Sequence, residues 1–108
     1  MNNRMLMPTK GGIRKMINSN QIIYIKVHLT NSIIKFSDGH SLVMQLSLKQ
    51  FEARLPPELF CRTHRNYIVC LDHVISVAES HIAVTAEKEG IPLSENYKKN
   101  FYSHFIVI

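Results

Sequence analysis

Both cysteines of this chain and two of its histidines lie in FCRTHRNYIVCLDHV, residues 60–74, with one spacing occurring twice: Cys61-x-x-His64 and Cys70-x-x-His73. Thiolate and imidazole are the ligands of a tetrahedral zinc site, so the pattern raises a metal centre first. The interval between the pairs argues against it. Structural zinc sites bring their ligand pairs together across an excursion of about a dozen residues. Here only Arg65 to Val69 intervene, and Tyr67-Ile68-Val69 suit a strand. Residues nine apart in an extended strand are separated by roughly 30 Å. Cysteine–histidine catalysis is a second chemistry, but it needs an orienting partner and an oxyanion donor. No glycine-rich elbow or paired acids stand nearby. With four glycines in the chain, no phosphate-cradling loop is present either.

The third chemistry fits best. Arg62, His64, Arg65 and Asn66 form a cluster of donors at the entry to a strand from Tyr67. The arginine fork suits guanine edges and phosphate oxygens, and asparagine suits adenine. Lys98 and Lys99, near the start of a capped helix, add phosphate-reaching charge. Charge points the same way: the net charge is +5 and the sequence pI about 9.4. Six basic residues (Arg4, Lys10, Arg14, Lys15, Lys26 and Lys35) precede the first acidic one, Asp38. Such imbalance favours a polyanionic partner.

These side chains must be placed by a small fold. One hundred and eight residues make one domain over residues 1–108, with a modest core. A hydrophobic fraction of 45% and a charged fraction of 19% are those of a globular chain. No apolar run approaches the roughly 20 residues of a membrane span. The N-terminus lacks the pattern of a signal peptide. A cytoplasmic location with free thiols is expected. Residues 21–29, 32–36 and 41–46 read as an antiparallel meander, with turns at Thr30–Ser32 and at Asp38-Gly39, where positive φ is tolerated. Residues 47–55 change period: Leu48, Phe51, Glu52 and Leu55 share a helical face, Ser47 and Gln50 form a capping box, and Pro56-Pro57 stop the helix. Residues 74–86 suggest two short strands around Glu79-Ser80. Ser94 is the expected cap of a second helix over 94–105. Two more strands are expected around Lys10-Gly11-Gly12. The fold class is mainly β, with one or two short helices.

LFCRTHRNYIVCLDHV closely resembles the signature of the LytTR family of bacterial DNA-binding domains, the output domains of many response regulators. That signature runs roughly F-x-R-x-H-R-S-Y-L-V-N. Phe60, Arg62, His64, Arg65, Tyr67 and Val69 match it. IIYIK at 22–26 is similar to the family's opening strand, SLVMQLSLKQFEARLPPELF to the strand, helix and loop before the signature, and IPLSENYKKNF to its closing motif. The resemblance covers nearly the whole chain. It implies about ten short strands in stacked small antiparallel sheets, with DNA bound by loops in successive major grooves and no recognition helix. Base-facing residues would be Asn31 and Ser32, then His64, Arg65 and Asn66, then Glu95 and Asn96. Lys98 and Lys99 would meet phosphates, and Arg62 would meet phosphate or pair with Asp72. Departures are Asn66 for serine, Cys70 for asparagine and Glu95 for arginine; the last implies loss of a contact or altered specificity.

The expectation is a sequence-specific regulator of transcription that binds double-stranded DNA. It would not be an enzyme, and it would have no cofactor, no metal and no membrane partner. No receiver domain is expected in the chain, so phosphorylation input would be absent, supplied by a separate partner, or lie outside these residues; a second copy on adjacent repeats is the other partner the resemblance implies. The competing reading is a LytTR-like protein-interaction module that has lost DNA binding. Convergence of the six early cations with Arg65 and Lys98 on one face would discriminate the two.

Overall fold

Asn31–Phe36 illustrates how the chain builds sheet: its side chains alternate half-buried and buried along the strand, the period of two that a pleated backbone imposes. The computed structural model describes residues 3–108. The strands are β1 (Arg4–Pro8), β2 (Arg14–Asn18), β3 (Ile22–His28), β4 (Asn31–Phe36), β5 (Ser41–Met44), β6 (Phe60–His64), β7 (Tyr67–Cys70), β8 (Val74–Val77), β9 (His81–Val84) and β10 (Ile91–Pro92). Helix α1 (Leu48–Arg54) lies between β5 and β6, and α2 (Glu95–Tyr102) follows β10.

Five strands form an antiparallel sheet in the order β5-β4-β3-β7-β6, flanked by the β1–β2 hairpin and a β10-β9-β8 sheet. The middle strand, β3, is buried at four consecutive positions, Ile22 to Ile25, because both faces of the sheet are covered. Ile22, Ile25, Ile68 and Cys70 face the β1–β2 hairpin and α1, packing with Phe36, Phe51 and Phe60. Ile23, Tyr24, Cys61 and Val69 face the small sheet and α2, packing with Ile82, Leu93 and Phe101. A register shift between Ile22 and Tyr24 breaks strict alternation and lets β3 serve both layers.

The capping box forms as read: the Ser47 hydroxyl accepts from the Gln50 amide at 3.1 Å, and the Gln50 side chain accepts from the Ser47 amide at 2.8 Å. Helix α2 stops at Tyr102, short of the expected 105, although Phe105 still packs on Phe101 with ring centroids 5.1 Å apart. Gly39 takes φ 97° in the turn after β4. The preceding turn sits one residue earlier than expected. Asn31 and Ser32 are already in β4, and the tip is Leu29-Thr30, with Leu29 held at φ 56°. Among the described residues, no helix is long and apolar enough to cross a membrane.

Candidate nucleic-acid interface

Strands β6 and β7 pair from Phe60↔Cys70 to His64↔Tyr67, so Arg65 and Asn66 alone make the turn. Two-residue hairpin turns favour positive φ, which matches strand twist. Neither Arg65 nor Asn66 adopts it. A bulge between Arg62 and His64 absorbs the mismatch and turns Arg62 back beneath the tip. There its Nε donates to the His64 carbonyl at 3.0 Å, and its terminal nitrogens reach the Arg65 carbonyl and the Glu52 carboxylate of α1. The guanidinium carbon also stands 6.0 Å from the centroid of the Tyr97 ring of α2. The partner of Arg62 is therefore Glu52 and not Asp72. One side chain ties both helices to the turn.

The rest of the turn is fixed in the same way. The Asn66 amide donates to His64 Nδ1 at 3.0 Å. A backbone N–H can only donate, so Nδ1 is an acceptor and the ring proton of a neutral His64 sits on Nε2. The Val27 amide donates to the Asn66 carbonyl at 2.9 Å, joining the turn to β3. Arg65 remains exposed.

Sheet order brings the other expected places to the same end. Pairing of Lys26 with Tyr67 and of His28 with Asn31 sets the Leu29-Thr30 tip beside Arg65-Asn66. Leu29 is 84% exposed there. Asn31 is half-buried, but Ser32 is 1% exposed and its hydroxyl donates to the Leu46 carbonyl. Ser32 faces the interior because it shares the core-facing parity of Ile34 and Phe36. It is withdrawn from the candidate contacts. On the third side, the Ser94 amide donates to the carbonyl of Thr63, in the β6 bulge, at 2.9 Å. Glu95 and Asn96, both exposed, are thereby fixed next to the hairpin. The Ser94 hydroxyl also reaches that carbonyl, at 3.4 Å, and makes no cap of its own.

The lysines divide. Lys98 Nζ lies 2.9 Å from Glu79 and 3.1 Å from Glu95, with its side chain 18% exposed. The two carboxylates raise its pKa, while Lys98 lowers that of Glu79. Lys99 is exposed. Of the early cations, Lys26 lies next to the turn, paired across to Tyr67, whereas Lys10, Lys15 and Lys35 do not converge on Arg65. Lys35 Nζ donates to the Gly39 carbonyl at 3.3 Å, and Lys10 and Lys15 line a cleft with His40. Lys10 and Lys15 stand toward the far end of the large sheet, by Phe36, and Lys35 stands across from Tyr24 in the body of β3. Glu52, Thr63 and Tyr97, all used in holding the turn, escaped the sequence reading. Only the place of Glu52 on the helical face shared with Leu48, Phe51 and Leu55 hinted at a role, although Glu52 itself is exposed.

The cysteines do not form a common site. The chain reverses at Arg65-Asn66, so the sites are not drawn out along one strand as expected, yet strand alternation puts the thiols on opposite faces of the sheet. Cys61 lies in the layer with Val69 and Phe101, and Cys70 in the layer with Ile68 and Phe60. His73 Nε2 is taken up by the Asn20 carbonyl. Burial pushes each thiol up to about 11, with an Asn100 hydrogen bond opposing it at Cys61. At pH 7 about one part in 10⁴ is thiolate, the reactive form. An aromatic disulfide reagent is therefore expected to titrate both thiols only after denaturant is added. Rapid reaction of either in the native chain would contradict their burial.

A family model described as LytTr DNA-binding domain matches residues 14–106. The CO-responsive transcriptional regulator RcoM of Rhodospirillum rubrum is 36% identical over 64 residues, 59% of this chain and 27% of that protein. The chain thus spans about a quarter of the length of this curated relative. A solved LytTr DNA-binding domain from a Bacillus cereus methyl-accepting/DNA response regulator superposes with a TM-score of 0.75 at 20% identity, covering 96% of this chain and 97% of that one. At that identity the likeness is one of fold.

Proposed function

The chain belongs to the LytTR family of DNA-binding domains, and from that premise we propose that it binds double-stranded DNA sequence-specifically, as a bacterial transcriptional regulator. The family is one of DNA-binding domains and not of enzymes. The observation that carries the reading is the meeting of three turns at one end of the five-stranded sheet, with Arg65 exposed at the middle one. Turns of this size can enter successive major grooves along one face of a duplex, where base edges carry a distinct donor and acceptor code.

In this arrangement Arg65 reads a guanine edge. His64 offers its Nε2 proton, and the side chains of Asn31, Asn66 and Asn96 offer amides. Leu29 meets a thymine methyl. Lys99 takes a phosphate. Arg62 acts beneath the surface, as the group that shapes the turn. Glu95, its charge offset by Lys98, either accepts from a cytosine amino group or leaves the third contact to Asn96. The carboxylates around Lys98 and the remote position of Lys10 and Lys15 favour the other reading, an interaction module without DNA binding.

Selection of bound sites from random duplexes at two salt concentrations separates the two readings. A recovered consensus and steep weakening with salt are expected, as counterion release requires. The spacing of recovered half-sites reports whether copies bind side by side. Arg65→Ala is expected to cost about 1–3 kcal/mol on the selected site and little on random duplex. Lys99→Ala should weaken both alike and reduce the salt slope by about one. Equal losses from Arg65→Ala on both duplexes would overturn its role, and no binding to any duplex would favour the interaction module.

A further inference from the structure

At the end of the large sheet away from Arg65, the β1–β2 hairpin stands off β4 and β5 and leaves an open cleft of about 420 Å³. That lies within the roughly 300–1,000 Å³ of small-molecule sites. Its walls are apolar: Met7 and Phe36 are buried side chains reached from the cleft, and Ile17 and Leu42 complete the lining. The polar groups gather at the rim. Lys10 and Lys15 border the opening and both are exposed. Neither makes an ion pair among the described residues, although Lys15 contributes to lowering the pKa of Asp38. Asp38 itself is engaged by His40, whose amide donates to it at 3.0 Å. The His40 ring bonds the same carboxylate and stacks on Phe36 with centroids 4.2 Å apart. Asp38 is thus taken up by His40, and among the described residues neither lysine is held by a salt bridge.

An apolar hollow under two cations complements a molecule with an apolar body and an anionic head. We infer that this cleft binds a small amphiphilic anion, such as a medium-chain or aryl carboxylate, with its apolar body against Phe36 and Leu42 and its head between Lys10 and Lys15. The distance from the three turns separates this surface from the proposed DNA interface, so the two ligands do not compete. The inference is independent of the DNA reading, and either can fail alone.

Titration of the full chain with decanoate and, separately, decanol, followed by backbone amide resonances, tests it. Saturable shifts confined to Met7, Ile17, His40 and Leu42 are expected from decanoate, with decanol weaker. The double variant Lys10→Ala/Lys15→Ala should weaken decanoate about tenfold, the scale of two exposed charge contacts, and leave decanol and DNA affinities unchanged. Equal binding of decanol and decanoate would overturn the anionic head. Shifts spread over Leu29 and Ile106, or none, would overturn the site. Concentration-dependent shifts of the same residues without ligand would assign the cleft to a second copy of the chain and overturn the small-molecule reading.

Discussion

Replacing Arg62 with alanine is expected to lower affinity for the selected duplex by roughly a hundredfold while leaving a folded domain. The guanidinium holds the carbonyls of His64 and Arg65 and bridges to Glu52 and Tyr97. Without it, the bulge that aims the turn has no anchor, and the contacts of His64 and Arg65 loosen together. Two base-directed contacts at about 1–3 kcal/mol each put the loss near that magnitude. The fold should survive because the cores on either face of the sheet do not include Arg62. Arg62→Lys should not rescue binding, since an ammonium lacks the planar fork that meets several acceptors at once. Glu52→Gln, which spares the carbonyl bonds, should cost far less. A positioning role leaves the salt dependence unchanged; a fall in salt slope of about one would instead make Arg62 a phosphate contact. Wild-type affinity in Arg62→Ala, measured by fluorescence anisotropy, would sink both.

Arg62 also marks the boundary of what a sequence discloses. Its presence in the signature was plain, as were the helix start at Ser47 and the turn at Asp38-Gly39, because each rests on residues a few positions apart; α2 also starts after Ser94, but without the side-chain cap expected there. Its partner was not. Glu52 lies on a separate helix, and only the edge position of β6 in the sheet brings the two together. Asp72, the same ten residues away in sequence as Glu52, follows β7 in the opposite direction. Ser32 failed for a related reason: a shift of one residue in the turn reverses which face a strand side chain takes. Of the two carboxylates beside Lys98, Glu79 is contributed by the turn between β8 and β9 and was beyond local pattern, whereas Glu95, three residues earlier on α2, was legible. The family signature made the fold legible almost throughout. The electrostatics of the site depended on strand order, which local pattern does not encode.

Stability should fall steeply above about pH 9. Burial raises the Cys61 and Cys70 thiols to about 11 from an ordinary value of 9.0. Burial, followed by the Glu87 charge and the hydrogen bond to it, raises Tyr24 to about 12 from 10.0. All three groups are neutral when protonated, and the folded state favours that form. Their contribution is fully present below the unfolded pKa values. It is lost as pH climbs through the window between 9 and 12, where the unfolded chain releases protons first. At about 1.4 kcal/mol per unit for each group, discounted for residual hydration, the combined loss is several kcal/mol, comparable to the whole stability of a small domain. Denaturation midpoints at neutral pH, 9 and 10.5 should therefore decline in that order. Tyr24→Phe should flatten the part above pH 10, because it removes the hydroxyl that ionises. A midpoint constant to pH 11 would contradict the burial of these groups.

The Ser94 amide bond to the Thr63 carbonyl separates two kinds of residue at one end of the molecule. Thr63, Phe60 and Leu93 are buried and hold the turns in place, whereas Leu29, Arg65 and Asn96 stand exposed and hold nothing. Mutational drift at the exposed set is thus nearly free of the stability threshold that constrains most substitutions. A lineage carrying this fold can change its exposed turns one at a time on an unaltered frame.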